Sequence, residues 1–265
     1  MAVKTLYESD SYIVVNKPYD MYINSDDENV KNTVACHIAR HDSHLSKSSH
    51  PLHFVQRLDY STSGVLCIAK SRRAAADAGK LFEQRQTRKY YLAVVRGRVG
   101  FQLADVMYEI GADESPLNGH KMVAVTSSDI GCGRPRTAHT RVLVLETGSY
   151  RDEPATIVMM KPITGRRHQL RVHCHAVGHT IVGDYTYSDG ADAAPHRMFL
   201  HAARLVLPLK DEPLDITTSE PFSNDEQFSK HWRGSMPSYT FDAACEVLDS
   251  TNTGGFQYSL YKKTE

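Results

Sequence analysis

Residues 56–70 read QRLDYSTSGVLCIAK, and no other part of the chain says more about its fold. A polar turn of small hydroxyl residues leads directly into the apolar run 65–69, which predicts a turn followed by a buried strand. The turn carries Asp59 two residues after Arg57. A carboxylate at that place suits the rim of a cleft, and it equally suits a turn acceptor that caps the backbone of Thr62 or Ser63. The pattern alone leaves both interpretations open.

The residues that follow predict a helix and then a strand. From Ser71, a suitable N-cap, apolar residues recur with a period of 3.6 as far as Phe82. Side chains alternate over residues 89–95, so Tyr90 and Tyr91 are expected on opposite faces. Short strands and scattered helices without regular alternation predict the α+β class. Three further strands are predicted at residues 12–15, 141–145 and 156–160.

Composition narrows the class of protein. The 265 residues include 31 basic and 31 acidic side chains, and 41% are hydrophobic, which is typical of a soluble globular protein with a real core. No run approaches the roughly 18 apolar residues of a membrane span. The acidic start, with Glu8 and Asp10, argues against a secretory or mitochondrial leader. We therefore expect a cytoplasmic protein, with the nucleus as the alternative location.

Several common chemistries are not indicated by the sequence. The five cysteines are odd in number and form no C-x-x-C pair, so neither a disulfide framework nor a zinc knuckle is predicted. The phosphate-binding pattern G-x-x-x-x-G-K-[ST], the dinucleotide pattern G-x-G-x-x-G and the hydrolase pattern G-x-S-x-G are all missing. The commonest nucleotide-binding and hydrolase functions are therefore not expected.

Charge is segregated along a chain whose formal net charge is zero. Residues 56–98 hold ten Lys or Arg and three Asp or Glu, a net charge of +7, and residues 161–179 add +4. Local basic surfaces of this kind suit a polyanion such as nucleic acid. They also suit solvated helix faces, which is what charge runs usually are.

The second dense motif is TGRRHQLRVH at residues 164–173. We expect a helix from about Arg167 that ends near Gly178, since glycine is favoured just after a helix. A polar face beside a helix N-terminus suits phosphate, whereas Arg166 at the glycine turn is suited to pair with a buried carboxylate. The expected polar face comprises Arg167, His168, Arg171 and His175, and the inward face comprises Leu170, His173, Cys174 and Val177.

The histidines of this region raise the question of a metal site. His175 and His179 have i, i+4 spacing, but residues 161–182 contain no Asp or Glu to complete a ligand set. We therefore predict no metal, and we interpret His173 as a hydrogen-bonded core residue.

The division into domains is predicted from composition. Residues 1–210 contain all the patterned segments, the last being the apolar segment 200–207, and are expected to form one catalytic domain. Residues 211–265 begin with an acidic, weakly patterned stretch, so we expect a peripheral C-terminal extension there.

Five blocks of the sequence resemble, in order, the motifs of the RluA family of RNA pseudouridine synthases. Within it the chain is similar to the eukaryotic RNA pseudouridylate synthase domain-containing proteins that lack an S4 domain. The resemblance implies a pseudouridine synthase fold: a mixed, largely antiparallel central sheet with flanking helices and a catalytic cleft. The blocks are N-K-P at 16–18, R-L-D-x-x-T-S-G-x-x-x-x-A-K at 57–70, K-x-Y-x-A at 89–93, T-G-R-x-H-Q-L-R-x-H at 164–173 with I-x-G-D-x-x-Y at 181–187, and L-H-A at 200–202.

The resemblance also implies the reaction and its residues. Such an enzyme isomerises a flipped-out uridine of RNA without cofactor or metal. The catalytic carboxylate is Asp59, Arg166 is the guanidinium that keeps it ionised, and Tyr91 stacks on the uracil and takes the last proton. The implied RNA-contacting and substrate-contacting residues are Arg57 as the gap-filling cation, Leu170 as a pocket wall, and Lys89, Arg167 and Arg171 at phosphates. The expected partner is ribosomal, transfer or messenger RNA, bound by a monomer.

The sequence departs from the family pattern at a few positions. Gln56 stands where His usually precedes R-L-D, and Arg167 stands where Thr or Ser is common. After N-K-P the family usually reads x-G-L-x-V-H-P, where this chain has Asp20, Asn24 and Ser25. An inactive RNA-binding relative of the same fold is therefore the alternative, and a zinc hydrolase built on the histidines is a third hypothesis.

Overall fold

The computed structural model describes residues 2–27, 29–41, 52–115, 121–127, 131–234, 239–250 and 256–259. The chain divides into two compact units. Unit 1 comprises Met1–Lys89 and Leu200–Glu220, and unit 2 comprises Tyr90–Phe199 and Pro221–Glu265. In chain order the elements are β1 (Lys4–Glu8), β2 (Tyr12–Lys17), α1 (Val34–His41), β3 (His53–Phe54), β4 (Ser63–Ala69), α2 (Arg72–Glu83), β5 (Arg88–Arg96), β6 (Leu103–Val106), β7 (Ile110–Asp113), β8 (Met122–Ala124), β9 (Cys132–Arg136), β10 (Thr140–Tyr150), β11 (Glu153–Pro162), α3 (Gln169–Ala176), β12 (Leu200–Leu207), β13 (Leu214–Thr217), α4 (Glu226–His231), β14 (Trp232–Gly234), α5 (Phe241–Asp249) and β15 (Phe256–Tyr258).

Unit 1 is a sheet in the order β1-β2-β4-β12-β13, with β3 also paired to β4. The β4–β12 pair is parallel and the other pairs are antiparallel. Every residue of β4 is buried, as its apolar run predicts. Helix α2 begins as predicted, because the Ser71 hydroxyl accepts the Ala74 N–H at 3.2 Å. Ala74 and Ala78 then pack into the core of this unit with Val65 and Leu205.

Unit 2 contains a sheet in the order β5-β11-β10-β6-β15, with β14 also on β10, and a second, three-stranded sheet in the order β8-β7-β9. Strands β10 and β11 form a long hairpin whose tip is Arg151-Asp152. Both tip residues have positive φ, 54° and 63°, which is the geometry of a two-residue type I′ turn. Mixed sheets with few helices confirm the predicted α+β class. In the part of the chain that the structure describes, no helix is long and apolar enough to cross a membrane.

The division into units differs from the predicted division at residue 210. Within residues 211–265, the described part after Glu220 belongs to unit 2, and its peripheral position relative to the catalytic domain stays a prediction. Phe222 and Phe228 are 1% and 3% exposed, and Leu248 of α5 is fully buried. Helices α4 and α5 are short and bury only one to three side chains each, too few to give a visible period in the sequence.

Candidate active site

The turn that carries Asp59 is held by main-chain and side-chain hydrogen bonds of unit 1. The Thr62 N–H donates to the Asp59 carbonyl at 3.1 Å and closes the turn. Lys17 of the N-K-P block is fully buried, and its ammonium donates to the Tyr60 carbonyl at 2.9 Å. The Met21 N–H donates to that same carbonyl at 3.2 Å. Asp59 itself stays half-buried, so its carboxylate sits on a fixed and partly accessible turn.

A buried histidine holds the other side of this turn. His201 is 1% exposed, and its Nδ1 and Nε2 lie 2.7 Å from the Ser63 hydroxyl and 2.6 Å from the Thr218 hydroxyl. Because the Thr218 hydroxyl donates to the Ala203 carbonyl at 3.3 Å, it accepts from the Nε2–H of His201. The imidazole thus links β4 to the end of β13.

Gly64 allows strand β12 to approach the turn. Its φ is +115°, and a Cβ at this position would lie 2.2 Å from the Ala202 carbonyl oxygen. Strands β4 and β12 pair in register here, with His201 opposite Ser63 and Ala202 opposite Gly64. The N-K-P, R-L-D and L-H-A blocks, far apart in sequence, therefore meet around the turn that carries Asp59.

Gln56, which departs from the family pattern, and Arg57, which matches it, lie just before this turn. The Gln56 side-chain amide donates to the Val65 carbonyl at 3.1 Å, so it fastens the approach to β4. Arg57 is exposed, whereas Leu58 is 8% exposed and anchors the segment. The exposure of Arg57 leaves its side chain accessible to solvent.

In unit 2, Gln169 organises the loop that carries Arg166. Gln169 is 4% exposed, and its side-chain oxygen accepts from the Thr164 hydroxyl at 2.6 Å and from the Arg166 N–H at 2.9 Å. Its amide donates to the His139 carbonyl and the Thr140 hydroxyl, both at 2.9 Å. The Arg166 Nε in turn donates to the Thr137 carbonyl at 2.9 Å. These bonds fix both the backbone and the direction of the Arg166 side chain.

The same motif contains a buried histidine that the sequence interpretation assigned to the core. His173 Nε2 donates to the Tyr108 carbonyl at 3.0 Å, and Nδ1 accepts from the Thr140 hydroxyl at 2.9 Å. Burial lowers the pKa of His173 to about 4, so the ring is neutral at physiological pH. The prediction of a hydrogen-bonded core histidine is confirmed.

Arg171 does not lie on the polar face where the helical pattern places it. It is 7% exposed and forms a bidentate ion pair with Asp184, at 2.7 Å from Nε and 2.8 Å from Nη2. The guanidinium also lies over the Tyr187 ring, 5.0 Å from its centroid. The face prediction is therefore wrong for Arg171, because Asp184 offers a buried partner that the helical period does not reveal. Arg167 is exposed, and Leu170 is 7% exposed on the inward face as expected.

Other histidines of the motif are also in hydrogen bonds. His168 Nδ1 lies 3.0 Å from the Tyr187 hydroxyl, His175 Nδ1 lies 3.0 Å from the Thr180 hydroxyl, and His179 Nδ1 donates to the Arg96 carbonyl at 2.9 Å. Among the described residues, no three His, Cys, Asp or Glu side chains are grouped as metal ligands.

The two neighbouring tyrosines of β5 have different surroundings in unit 2. Tyr90 is buried and its hydroxyl donates to Asp249 at 2.6 Å, whereas Tyr91 is half-buried and pairs with Met160 of β11. Just before them, Lys89 of unit 1 lies 5.8 Å from the centre of the Phe82 ring, and burial lowers the pKa of its ammonium to about 8. Tyr91 thus keeps part of its surface accessible, its stacking role stays a prediction, and Lys89 is still cationic near neutral pH.

Sequence reasoning assigned no role to several buried polar residues that support the predicted site residues. One signal was available: His201 interrupts the apolar segment 200–207, and a polar residue in a buried strand needs a partner. Asp184 gave a weaker signal as the only acid between residues 154 and 188. The predicted site residues are divided between the units, with Asp59, Arg57 and Lys89 in unit 1 and the others in unit 2. The pairing of Asp59 with Arg166 stays a prediction.

Comparisons with known proteins agree with the motifs. The family model described as RNA pseudouridylate synthase matches residues 11–176. The chain is 42% identical over 222 residues to RNA pseudouridylate synthase domain-containing protein 1 of Danio rerio, covering 83% of this chain and 75% of the relative. It is 35% identical over 204 residues to the dual-specificity RNA pseudouridine synthase RluA of Vibrio parahaemolyticus, covering 76% and 75%. The solved structure of human RNA pseudouridylate synthase domain containing 1 superposes with a TM-score of 0.80 at 33% identity, covering 94% of this chain and 95% of that one. By sequence and by fold, this chain belongs to the RNA pseudouridylate synthase family.

Proposed function

We propose that this RNA pseudouridine synthase uses Asp59 as its catalytic carboxylate on a uridine that has left the RNA stack. The observation that carries the proposal is the convergence on the Asp59 turn of three supports distant in sequence: Lys17, the Ser63–His201 hydrogen bond, and the close approach of β12 at Gly64. A half-buried turn that several buried polar groups hold in place is typical of a preorganised catalytic group.

The reaction requires one carboxylate and one base. It changes the connectivity of the uridine but not its composition. The bond from C1′ to N1 of uracil breaks, the ring turns, and a bond from C1′ to C5 forms. C5 then gives up its proton and N1 takes up one proton, so the product is an isomer of the substrate. Asp59 acts either on C1′ of the ribose or by adding to the base, and it must be ionised for either. An opposing guanidinium favours the ionised form, which is the role we assign to Arg166. The half-buried Tyr91 stacks on the uracil and receives the C5 proton.

Further residues bind the RNA and accommodate the flipped-out uridine. Unstacking a uridine costs a few kcal/mol, and exposed Arg57 is suited to fill the gap that it leaves. Leu170 forms an apolar pocket wall. Phosphates are met by Lys89, by exposed Arg167, and by the outer face of α2, where Arg72 and Arg73 are exposed. We assign Arg171 a structural role instead, because it is 7% exposed and Asp184 accepts from two of its three guanidinium nitrogens, Nε and Nη2. A cytoplasmic or nuclear location and a monomeric state stay predictions.

The test is formation of pseudouridine by the purified protein on RNA from cells that lack the gene, measured by mass spectrometry of nucleosides. Asp59→Asn removes the charge and keeps the shape, so turnover should fall on the order of 10⁴-fold or more. The matched control is Asp77→Asn, which removes an exposed carboxylate from α2 of the same unit and should leave turnover unchanged.

Arg166 is tested by separating turnover from binding. Arg166→Ala should lower turnover far more than RNA affinity, and an equal loss of both would refute its role beside Asp59. If the wild-type protein binds RNA tightly but forms no pseudouridine in any cellular RNA, the inactive RNA-binding relative is the correct interpretation.

A further inference from the structure

Two exposed tyrosines lie against each other in unit 1. Among the described residues, the large hydrophobic side chains that are strongly exposed are Tyr22 at 51%, Tyr60 at 44% and Tyr185 at 67%. The rings of Tyr22 and Tyr60 have centroids 4.6 Å apart with an interplanar angle of 49°. Each ring therefore has one side against the other ring and keeps a large accessible area. Single exposed aromatic residues are ordinary, but a contacting pair forms a patch that suits a ligand.

The backbone beneath both rings is fixed. The Tyr60 carbonyl accepts hydrogen bonds from the buried Lys17 ammonium and from the Met21 N–H. The Tyr22 carbonyl accepts from the Val34 N–H at 2.9 Å, at the start of α1. A tyrosine on a fixed backbone has only two side-chain torsions to order, so it gives contact area at a low entropic cost. The pair is thus organised before any ligand binds.

The chemistry around the pair suits nucleic acid. Tyr60 directly follows Asp59 in the chain, and the exposed cation Arg57 lies three residues before it. Single-stranded RNA stacks its bases on exposed aromatic rings, and a cation in the same segment of the chain adds attraction for phosphate. Partial burial, followed by the Asp20 carboxylate, raises the pKa of the Tyr60 phenol, so the hydroxyl stays protonated and adds no negative charge.

We propose that Tyr22 and Tyr60 form a stacking platform for an unpaired base of the RNA, a neighbour of the uridine that Asp59 receives. The inference rests on the proposed function of Asp59. When one uridine leaves the stack, the adjacent base loses a stacking partner, and an aromatic ring beside the catalytic turn replaces it. The platform contacts the face of a base, so it favours unpaired RNA with little preference among the four bases.

The experiment measures binding of a fluorescein-labelled, ten-nucleotide single-stranded RNA by fluorescence anisotropy. Tyr60→Ala and Tyr22→Ala should each weaken binding about 5- to 150-fold, the range found for the loss of one base–aromatic stack. Tyr60→Phe keeps the ring and should bind like wild type. The control is Tyr185→Ala, which removes an exposed tyrosine from unit 2 and should have no effect. The slope of log affinity against log salt should stay unchanged in the alanine variants, because no phosphate contact is lost.

A second RNA with the same backbone but with abasic residues provides the decisive comparison. Wild type and Tyr60→Ala should bind it with equal affinity, since there is no base to stack. The inference is overturned if Tyr22→Ala and Tyr60→Ala bind the normal RNA like wild type, or if they weaken the abasic RNA equally. These outcomes concern binding alone and are independent of whether the wild-type protein forms pseudouridine, which tests the proposed function of Asp59.

Discussion

The ion pair between Arg171 and Asp184 decides between a structural and an RNA-binding role for an arginine of the second motif. Two hydrogen bonds, of 2.7 and 2.8 Å, join side chains that are 8% and 0% exposed. The substitution Arg171→Met would keep the unbranched apolar stem over the Tyr187 ring and remove the charge. The Asp184 carboxylate then stays buried, with the Tyr187 N–H at 3.2 Å as one remaining donor.

Removing one member of a buried ion pair costs about 3–5 kcal/mol, because the other charge is left without compensation. At roughly 2–4 °C for each kcal/mol in a protein of this size, Arg171→Met should lower the melting temperature by about 6–20 °C. The double variant Arg171→Met, Asp184→Asn removes both charges and should recover a large part of that loss. Circular dichroism or differential scanning fluorimetry measures both.

Arg167→Met is the matched control, because Arg167 is exposed on the same motif. It should change the unfolding free energy by no more than about 0.5 kcal/mol. If Arg167 contacts one phosphate of single-stranded RNA, its loss should make the slope of log affinity against log salt concentration shallower by about 0.7. The reasoning about Arg171 is refuted if Arg171→Met melts within about 2 °C of wild type and shows the reduced salt dependence instead.

Three further predictions concern buried groups near the candidate site residues. Burial lowers the pKa of His173 from 6.5 to about 4, so its contribution to stability is complete above pH 6.5 and is lost as the pH falls toward 4. This loss amounts to about 3 kcal/mol of unfolding free energy. Urea titrations of His173→Gln across the same pH range should not show it. Gly64→Ala places a methyl group 2.2 Å from the Ala202 carbonyl oxygen at positive φ, so it should lower the unfolding free energy by more than about 3 kcal/mol or prevent folding. The control Gly79→Ala lies in α2 with nothing within 4 Å of the new methyl group and should raise the unfolding free energy by about 0.5–1 kcal/mol. Equal effects of the two variants in thermal melts would contradict this prediction. Gln169→Leu removes four hydrogen bonds from the Arg166 loop. Turnover should fall at least tenfold, which is about 1.4 kcal/mol in activation free energy, while RNA affinity stays nearly unchanged. A matching loss of affinity would argue against a role of Gln169 in positioning Arg166.

Much of the local structure could be predicted because it depends on neighbouring residues. The period of 3.6 after Ser71 and the capping hydroxyl define α2, and the alternation after Lys89 defines β5. The outward position of Tyr91 beside the buried Tyr90 is consistent with that alternation, although Leu92, Ala93, Val94 and Val95 are all buried, since both faces of the strand are covered. Alternation predicts opposite faces, but it does not say how many of them meet solvent.

The sequence by itself determined the family, the identity of Asp59, Tyr91 and Arg166 as candidates, and the class of reaction, because these depend on residue types at fixed short spacings. Only the tertiary structure decided which polar groups support them. Arg171 looks like a surface cation until Asp184, thirteen residues away, is brought to its side, and His201 acquires its role only when β12 pairs with β4. Burial and partnership are set by segments that meet in space, and a buried charge or imidazole is stable only where packing supplies its partner.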